Sequence, residues 1–582
     1  MTRVRAALLV VVALVAALLA PAQAEPPPLT TWPYETGYVT MPDGTELRYT
    51  VFLPDSGPGP WPTLLQYDGY AADTNPYENG QDLFGPRMRA KGYAVLGVNV
   101  RGSGCSSGTF DVFEHQWALD GYEVVEWAAQ QPWSNGDIGM FGVSMPAIMS
   151  LYVAALDPPH LDAIAPAAAL TDLYRDVAYP GGIFNATFPA AWTALQKGTG
   201  YQDTALVVAE DDGDTRCPGY TATHAAPDKV TAVQAAQHEY DDAFWARSLG
   251  DRIADIDVPV LSQTAWQDEQ VSGRIASALR ALDPATSFHV LTNGNHGVSV
   301  VAPAFADLQE NFFDRYVGGV ANGFETTTPH VSVWHELETP SFAPRWVTGH
   351  ASWPTPTATT YALTADGRLS PTTPLTSGSV SYVYPGTAPS AASAGGDTPA
   401  ETVGYRTPGT GAAFTTDPFT SDVEVFGSAS ADLWLSSTAA DTDLQVTLSE
   451  VRPDGQETFV QRGWLRASHR ALDATRSTAL RPYHPHTAGS AAALTPGVPV
   501  PVRVEVFPSG HVFRAGSRLR LTVEAPLSAT GLRVLEFLPT PAVNTVHTGG
   551  MTPSRLVVGT VPAAGVVAAY PACGSLVNQP CR

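Results

Sequence analysis

The sequence predicts an α/β domain with a helical insertion, followed by an all-β domain, and three observations predict it. Apolar runs without alternation, Thr63–Tyr67, Ala94–Val100, Ile138–Val143, Val258–Trp266 and the shorter Phe288–Thr292, are separated by stretches of helical period. Such runs mark parallel strands buried on both faces. Residues 166–244 break that alternation with aromatics, glycines and an acidic run. From about residue 325 threonine, serine, alanine and proline rise and short segments alternate with period two.

In chain order, the first segment is not part of the fold. Arg3 and Arg5 precede the apolar run Ala6–Ala20, and Pro21-Ala22-Gln23-Ala24 ends in an A-x-A site. This is the pattern of a secretory signal peptide over residues 1–24, which makes the mature protein an exported one with no membrane anchor. An Asp43-Gly44 turn between Tyr38 and Val51 then predicts a hairpin. Helices are expected over Trp117–Gln130 and Met145–Leu156, between strand candidates, and over Glu269–Leu282 and Ala304–Val317, which follow the later strand candidates. The α/β domain is therefore read as residues 30–165 and 245–320, and residues 166–244 as a helical cap over its site. Glu210-Asp211-Asp212-Gly213-Asp214 reads as a solvated loop of that cap.

The β domain is placed at 325–570. Ala429, Ala431, Leu433 and Leu435 alternate with polar residues or tryptophan, as do Leu444, Val446 and Leu448, and Leu519, Leu521 and Val523. Many short alternating strands predict a sandwich or jelly roll, reached through a loop-rich stretch near 370–415. Cys573 and Cys581 bracket the tail 571–582 and are expected to pair, which leaves Cys105 for Cys217. Export permits both bonds, and the spacing does not suit zinc. A net charge of −24 argues against nucleic acid as a partner.

The chemistry centres on Gly142-Val143-Ser144-Met145-Pro146, a G-x-S-x-G whose last glycine is a proline. Ser144 follows a strand run and precedes a helical one, the context of a nucleophile elbow. Gly142 suits the tight turn, and Pro146 falls in the first helical turn, where a missing N–H costs little. The Met145 N–H at the helix start is a candidate oxyanion donor. A serine that merely follows a glycine is the competing reading, and the remaining triad members decide against it. On an α/β-hydrolase fold an acid and then a histidine should follow the serine. Asp268 follows the run Val258–Trp266, with a helix N-cap as its alternative role. His296 lies in the loop Asn293-Gly294-Asn295-His296-Gly297 after the last run, whereas His289 falls within a strand and reads as packed. Ser144, His296 and Asp268 then serve as nucleophile, base and orienting acid, with no metal or other cofactor. No H-G-G-G loop is present. Tyr67, at the end of Thr63–Tyr67, is either a hydroxyl donor to the oxyanion or a buried strand-end aromatic.

These segments together resemble the CocE/NonD hydrolases, which include ester hydrolases and X-Pro dipeptidyl-peptidases. The nucleophile segment Gly136–Ser144, the loop Arg101-Gly102-Ser103-Gly104-Cys105-Ser106-Ser107-Gly108, Trp266-Gln267-Asp268, and Asp441-Thr442-Asp443-Leu444 with Pro453-Asp454-Gly455 carry the resemblance. It implies an α/β-hydrolase domain, a helical cap and a C-terminal jelly roll. Tyr67-Asp68 matches the pair that carries the family's oxyanion tyrosine. Trp192 resembles a cap tryptophan lining the acyl pocket, with Trp266 beside it. Pro146-Ala147 and Glu269-Gln270 depart from the family pattern, as does Gly294-Asn295-His296. Gln270 in place of an aromatic implies a more polar acyl pocket.

The leading expectation is a secreted serine hydrolase of small-molecule esters or amides. An X-Pro dipeptidyl-peptidase is the alternative; it needs carboxylates near the pocket for a free ammonium, and Glu210–Asp214, Glu239, Asp241 and Asp242 are candidates. A non-catalytic protein that binds a surface through the β domain is the distant third.

Overall fold

The computed structural model describes residues 34–54, 57–72, 84–186, 188–197, 201–224, 240–241, 247–298, 302–385, 410–526, 533, 535–536 and 538–582. The expected signal peptide lies outside these residues, as do Glu239, Asp242 and the middle of the loop-rich 370–415 stretch.

One ten-stranded sheet organises the first part of the chain. Its strands are β1 (Tyr34–Thr40), β2 (Glu46–Phe52), β3 (Trp61–Asp68), β4 (Ala94–Asn99), β5 (Ser134–Val143), β6 (Leu161–Ala167), β7 (Val260–Ala265), β8 (Ser287–Thr292), β9 (Val331–His335) and β10 (Trp346–His350). They lie in the order β1-β2-β4-β3-β5-β6-β7-β8-β9-β10. Every pair from β4 across to β9 is parallel. The pairs β1–β2, β2–β4 and β9–β10 are antiparallel. The five apolar runs are thus five of the central strands, and their burial on both faces explains why they do not alternate.

Two parts of the sheet have no clear sequence signal. The strand β6 reads Leu-Asp-Ala-Ile-Ala-Pro-Ala, short of β-branched residues and interrupted by Pro166. It forms because β5 and β7 flank it and complete its ladder. The strands β9 and β10 lie beyond the expected start of the β domain yet extend this sheet.

Helices α1 (His115–Ala129) and α2 (Met145–Ala154) pack on one face through Trp117, Val124, Ile148 and Leu151. Within the cap, α3 (Phe188–Lys197) and α4 (Tyr201–Asp211) are helical, as expected. Helix α5 (Pro303–Tyr316) covers the other face through Phe305, Phe312 and Phe313. The helix expected over Glu269–Leu282 forms only as a short turn at Ile275–Ala278, continued by Leu279–Ala281. The chain before it folds back under Asp268, whose Oδ1 accepts the N–H groups of Gln270 and Val271 at 2.8 Å each. Ser272 takes a left-handed φ of 66°. A side chain at Gly273 would press to 2.7 Å from the Trp266 carbonyl.

The acidic run of the cap is solvated at Glu210 and Asp211 and anchored at Asp212 and Asp214. Tyr34 Oη donates to Asp212 at 2.6 Å and Tyr38 Oη to Asp214 at 2.7 Å, and the buried Arg48 is paired with both aspartates. The disulfide Cys105–Cys217, with Cα atoms 4.7 Å apart, ties the same corner to the loop after β4.

Beyond the sheet stand two antiparallel β-layers, one of seven strands and one of four. The alternating residues Ala429, Ala431, Leu433 and Leu435 of Val423–Ser437, with Leu444, Val446, Leu448, Leu519, Leu521 and Val523, face each other in the buried core. The tail is closed by Cys573–Cys581 and does not hang free. Asn578 Nδ2 donates to the Gln267 carbonyl at 2.7 Å, and the Val577 N–H to the Leu337 carbonyl at 3.0 Å.

Candidate active site

Parallel strands bring the candidate residues to one edge of the sheet. Ser144 follows β5, Asp268 follows β7 and His296 follows β8, all at carboxyl ends. Loops at these ends converge because the strands are neighbours in the order β5-β6-β7-β8.

Ser144 has φ 69° and ψ −121°. A non-glycine residue held there stores strain of about 1–3 kcal/mol. Its N–H donates to the Ala167 carbonyl at 3.0 Å, and its carbonyl accepts from Ile148 at 2.9 Å, which starts α2. A Cβ on Gly142 would lie 2.4 Å from the Cβ of Pro146. Glycine and proline therefore share one tight space, and the proline that breaks the motif is accommodated by the glycine that keeps it.

The tyrosine beside the serine is Tyr70, not Tyr67. Tyr70 Oη lies 3.3 Å from Ser144 Oγ, and Trp192 Nε1 donates to the same hydroxyl at 3.0 Å. Burial pushes the Tyr70 hydroxyl up to about 12, so it remains a neutral donor. Tyr67 is fully buried against Gly121 of α1, and among the described residues its hydroxyl has no hydrogen-bond partner. The reason is geometric: Tyr67 is still within β3 and sends its ring into the helical layer. Tyr70 lies in the loop two residues past the strand, where the Asp68 carboxylate accepts its N–H at 2.6 Å. The D-G-Y triplet after the strand was the available signal.

His296 Nδ1 is 2.8 Å from Asp268 Oδ2. Burial alone would raise the Asp268 carboxyl; the imidazole and the N–H groups of Val271 and Gln270 outweigh it and hold the group below its ordinary range. Burial likewise would lower His296, but the charge and hydrogen bond of Asp268 raise it. With Nδ1 engaged by the carboxylate, Nε2 is the nitrogen that can exchange a proton. Among the described residues Ser144 Oγ has Tyr70, and not His296, within hydrogen-bond range; such contacts are often longer without substrate. His289 is packed as expected, with Nδ1 2.8 Å from Ser262 Oγ and burial pushing it down to about 3.

Gln267 and Asn293, which the sequence reading passed over, brace the two loops. Gln267 Oε1 accepts the Gly294 N–H at 3.0 Å, and its Nε2 donates to the Val460 carbonyl at 2.9 Å. Asn293 Oδ1 accepts the Leu337 N–H at 2.6 Å, and its Nδ2 donates to the carbonyls of Leu337 and Val577.

A cleft opens beside Ser144, walled by Phe113, Met145, Ile148, Leu173, Phe188 and Trp192, with Val271 from the acid loop. Trp192 stacks on Phe113 with ring centroids 6.3 Å apart. Two expected lining residues are elsewhere. Trp266 packs edge-on against Phe426 of the β domain, 6.0 Å between centroids, and is buried there. Gln270 does not line the cleft, because the turn under Asp268 presents Val271 instead. The pocket is accordingly apolar rather than the more polar one that Gln270 implied.

Comparison with known proteins places the chain among serine hydrolases. The profile of the X-Pro dipeptidyl-peptidase (S15) family matches residues 43–298. That of the X-Pro dipeptidyl-peptidase C-terminal non-catalytic domain matches residues 322–557. The cocaine esterase of a Rhodococcus species is 26% identical over 591 residues, spanning 89% of this chain and 97% of its own. A CocE/NonD family hydrolase structure from Staphylococcus aureus superposes with a TM-score of 0.74 at 25% identity, covering 91% of this chain and 94% of its own. An aminopeptidase structure from a Thaumarchaeota archaeon superposes at 0.68 with 18% identity over 93% of this chain and 99% of its own, a likeness of fold.

Proposed function

The chain belongs to the CocE/NonD family of serine hydrolases, and from that premise we propose that it hydrolyses esters with an apolar acyl group through an acyl-enzyme on Ser144. One observation carries the reading. The cleft beside Ser144 is walled by aliphatic and aromatic side chains, with no carboxylate among its described lining residues. Such a wall binds an apolar acyl group by removing its surface from water.

In the proposed mechanism His296 takes the Ser144 proton as Oγ attacks the acyl carbon. Asp268 holds the imidazole by Nδ1 and stabilises the imidazolium. The Tyr70 hydroxyl and the Met145 N–H receive the developing oxyanion. The imidazolium protonates the leaving alcohol, and water, activated by the same histidine, releases the acid. Replacing Tyr70 with phenylalanine is expected to lower kcat by about 10²–10³-fold with little change in KM. Tyr67→Phe, which removes a hydroxyl that bonds nothing among the described residues, is expected to stay within about twofold of wild type. Equal losses in the two variants, measured on one p-nitrophenyl ester, would reject the assignment.

The X-Pro dipeptidyl-peptidase reading draws on the family description but requires a carboxylate for the substrate ammonium. Asp212 and Asp214 are engaged by Arg48 and two tyrosines, and Asp241 by Arg175 at 2.8 Å. A panel of p-nitrophenyl acyl esters against Ala-Pro-p-nitroanilide tests the choice. Esters are expected to show kcat/KM at least about 100-fold higher. Faster anilide release that disappears on N-acetylation would reverse the conclusion.

Export is part of the same proposal. The pattern Arg3, Arg5, Ala6–Ala20 and Ala22-Gln23-Ala24 supports it, and two disulfides suit an oxidising compartment. Among the described residues no helix is long and apolar enough to cross a membrane.

A further inference from the structure

We propose that Glu269 is a positioning residue of this active site, a second buried carboxyl that clamps the backbone of His296 and sets the pH at which the imidazole becomes a base. The inference rests on reading Ser144, His296 and Asp268 as the triad. Glu269 follows Asp268 directly and is only 6% exposed. Its Oε2 accepts the backbone N–H of His296 at 3.1 Å, while Asp268 Oδ2 holds the ring of the same residue at 2.8 Å. Adjacent carboxyls thus hold one histidine at two points, main chain and side chain. The loop that carries His296 contains Gly294 at φ 130° and Gly297, so its own backbone supplies little stiffness.

The charged groups around Glu269 are few and opposed. Asp268 stands beside it on its own loop, and His296 faces it from the loop after β8. Arg462, on the strand Glu457–Arg466, is also within electrostatic reach. Arg533 Nε donates to the Glu269 carbonyl at 2.8 Å, and its Nη2 to the Asp176 carbonyl at 3.0 Å. Burial first, and the Asp268 charge second, push the Glu269 carboxyl up, while His296 pulls it down. Two neighbouring carboxyls ionise in sequence. Asp268, with the imidazole and two N–H groups on it, ionises first. When Glu269 follows, its charge favours the imidazolium and raises His296. The acid limb of kcat/KM therefore lies at higher pH than it would beside a neutral residue.

Glu269→Gln in the full-length protein keeps an oxygen for the His296 N–H and removes the charge. Its acid limb, measured on a p-nitrophenyl ester, is expected to move to lower pH by about half a unit or more. Glu269→Ala loses the clamp too, and its plateau kcat is expected to fall about tenfold, further than that of the glutamine variant, with KM little changed. An acid limb of the glutamine variant that overlays wild type would overturn the proposal, and that reading stands even where the alanine variant does not fold. Fluorophosphonate labelling separates the two levels of failure. Variants that label Ser144 fully yet keep the wild-type limb remove the role of Glu269 alone. A wild-type label found on another residue removes the triad reading, and this inference with it.

Discussion

Ser144→Ala is expected to lower kcat on p-nitrophenyl esters by at least about 10⁴-fold and to abolish fluorophosphonate labelling, with the fold intact. The size follows from the chemistry: without Oγ no acyl-enzyme forms, and only binding and oxyanion stabilisation of a direct attack by water remain. The fold should survive because the elbow is a backbone construction. The bonds from Ser144 N–H to Ala167 and from Ile148 to the Ser144 carbonyl do not involve the side chain. Labelling and turnover in the alanine variant equal to wild type would defeat the nucleophile assignment. Activity should also fall at acid pH in the wild type. His296 is raised above its ordinary value by Asp268, and the imidazolium cannot accept a proton. The loss is therefore expected as pH falls through the raised value, not below it.

Asp268→Asn should cost about 10⁴-fold in kcat while leaving KM and thermal stability comparatively unaffected. Asparagine can keep its carbonyl oxygen toward the N–H groups of Gln270 and Val271, which preserves the turn. The amide that then faces Nδ1 is a donor, so it favours the tautomer with the proton on Nε2, the nitrogen that must accept from Ser144. The imidazolium also loses its counter-charge. A variant within about tenfold of wild type, with unchanged far-ultraviolet circular dichroism, would mean that Asp268 is a structural cap and that the acid lies elsewhere.

The triad candidates were legible because they obey rules of local chain geometry. A glycine two residues before the serine and a proline two after it describe a turn that few other contexts need. An aspartate and a histidine just beyond apolar runs describe loops at strand ends. The central strands were legible for a related reason: burial on both faces leaves no room for polar alternation. The strand β6 escaped because its alanines and proline carry no strand preference; its neighbours impose its conformation. The helix expected over Glu269–Leu282 does not run on from its cap at Asp268, because Ser272 takes a left-handed φ of 66° that no α-helix continues through.

The sequence by itself determined the layered α/β domain, the β domain after it, and the strand-end positions of the triad candidates Ser144, Asp268 and His296, because periodicity and turn chemistry are properties of short segments. Tertiary structure alone decided which tyrosine reaches the serine and which side chains wall the cleft. Tyr67 and Tyr70 differ by three positions, and only the point at which β3 stops sends one inward and the other to Ser144 Oγ. Trp266 was drawn off to the β domain and Gln270 was displaced by Val271 through contacts between segments far apart in the chain. Side-chain direction at a strand end is fixed by what packs on each face, and no local pattern records that.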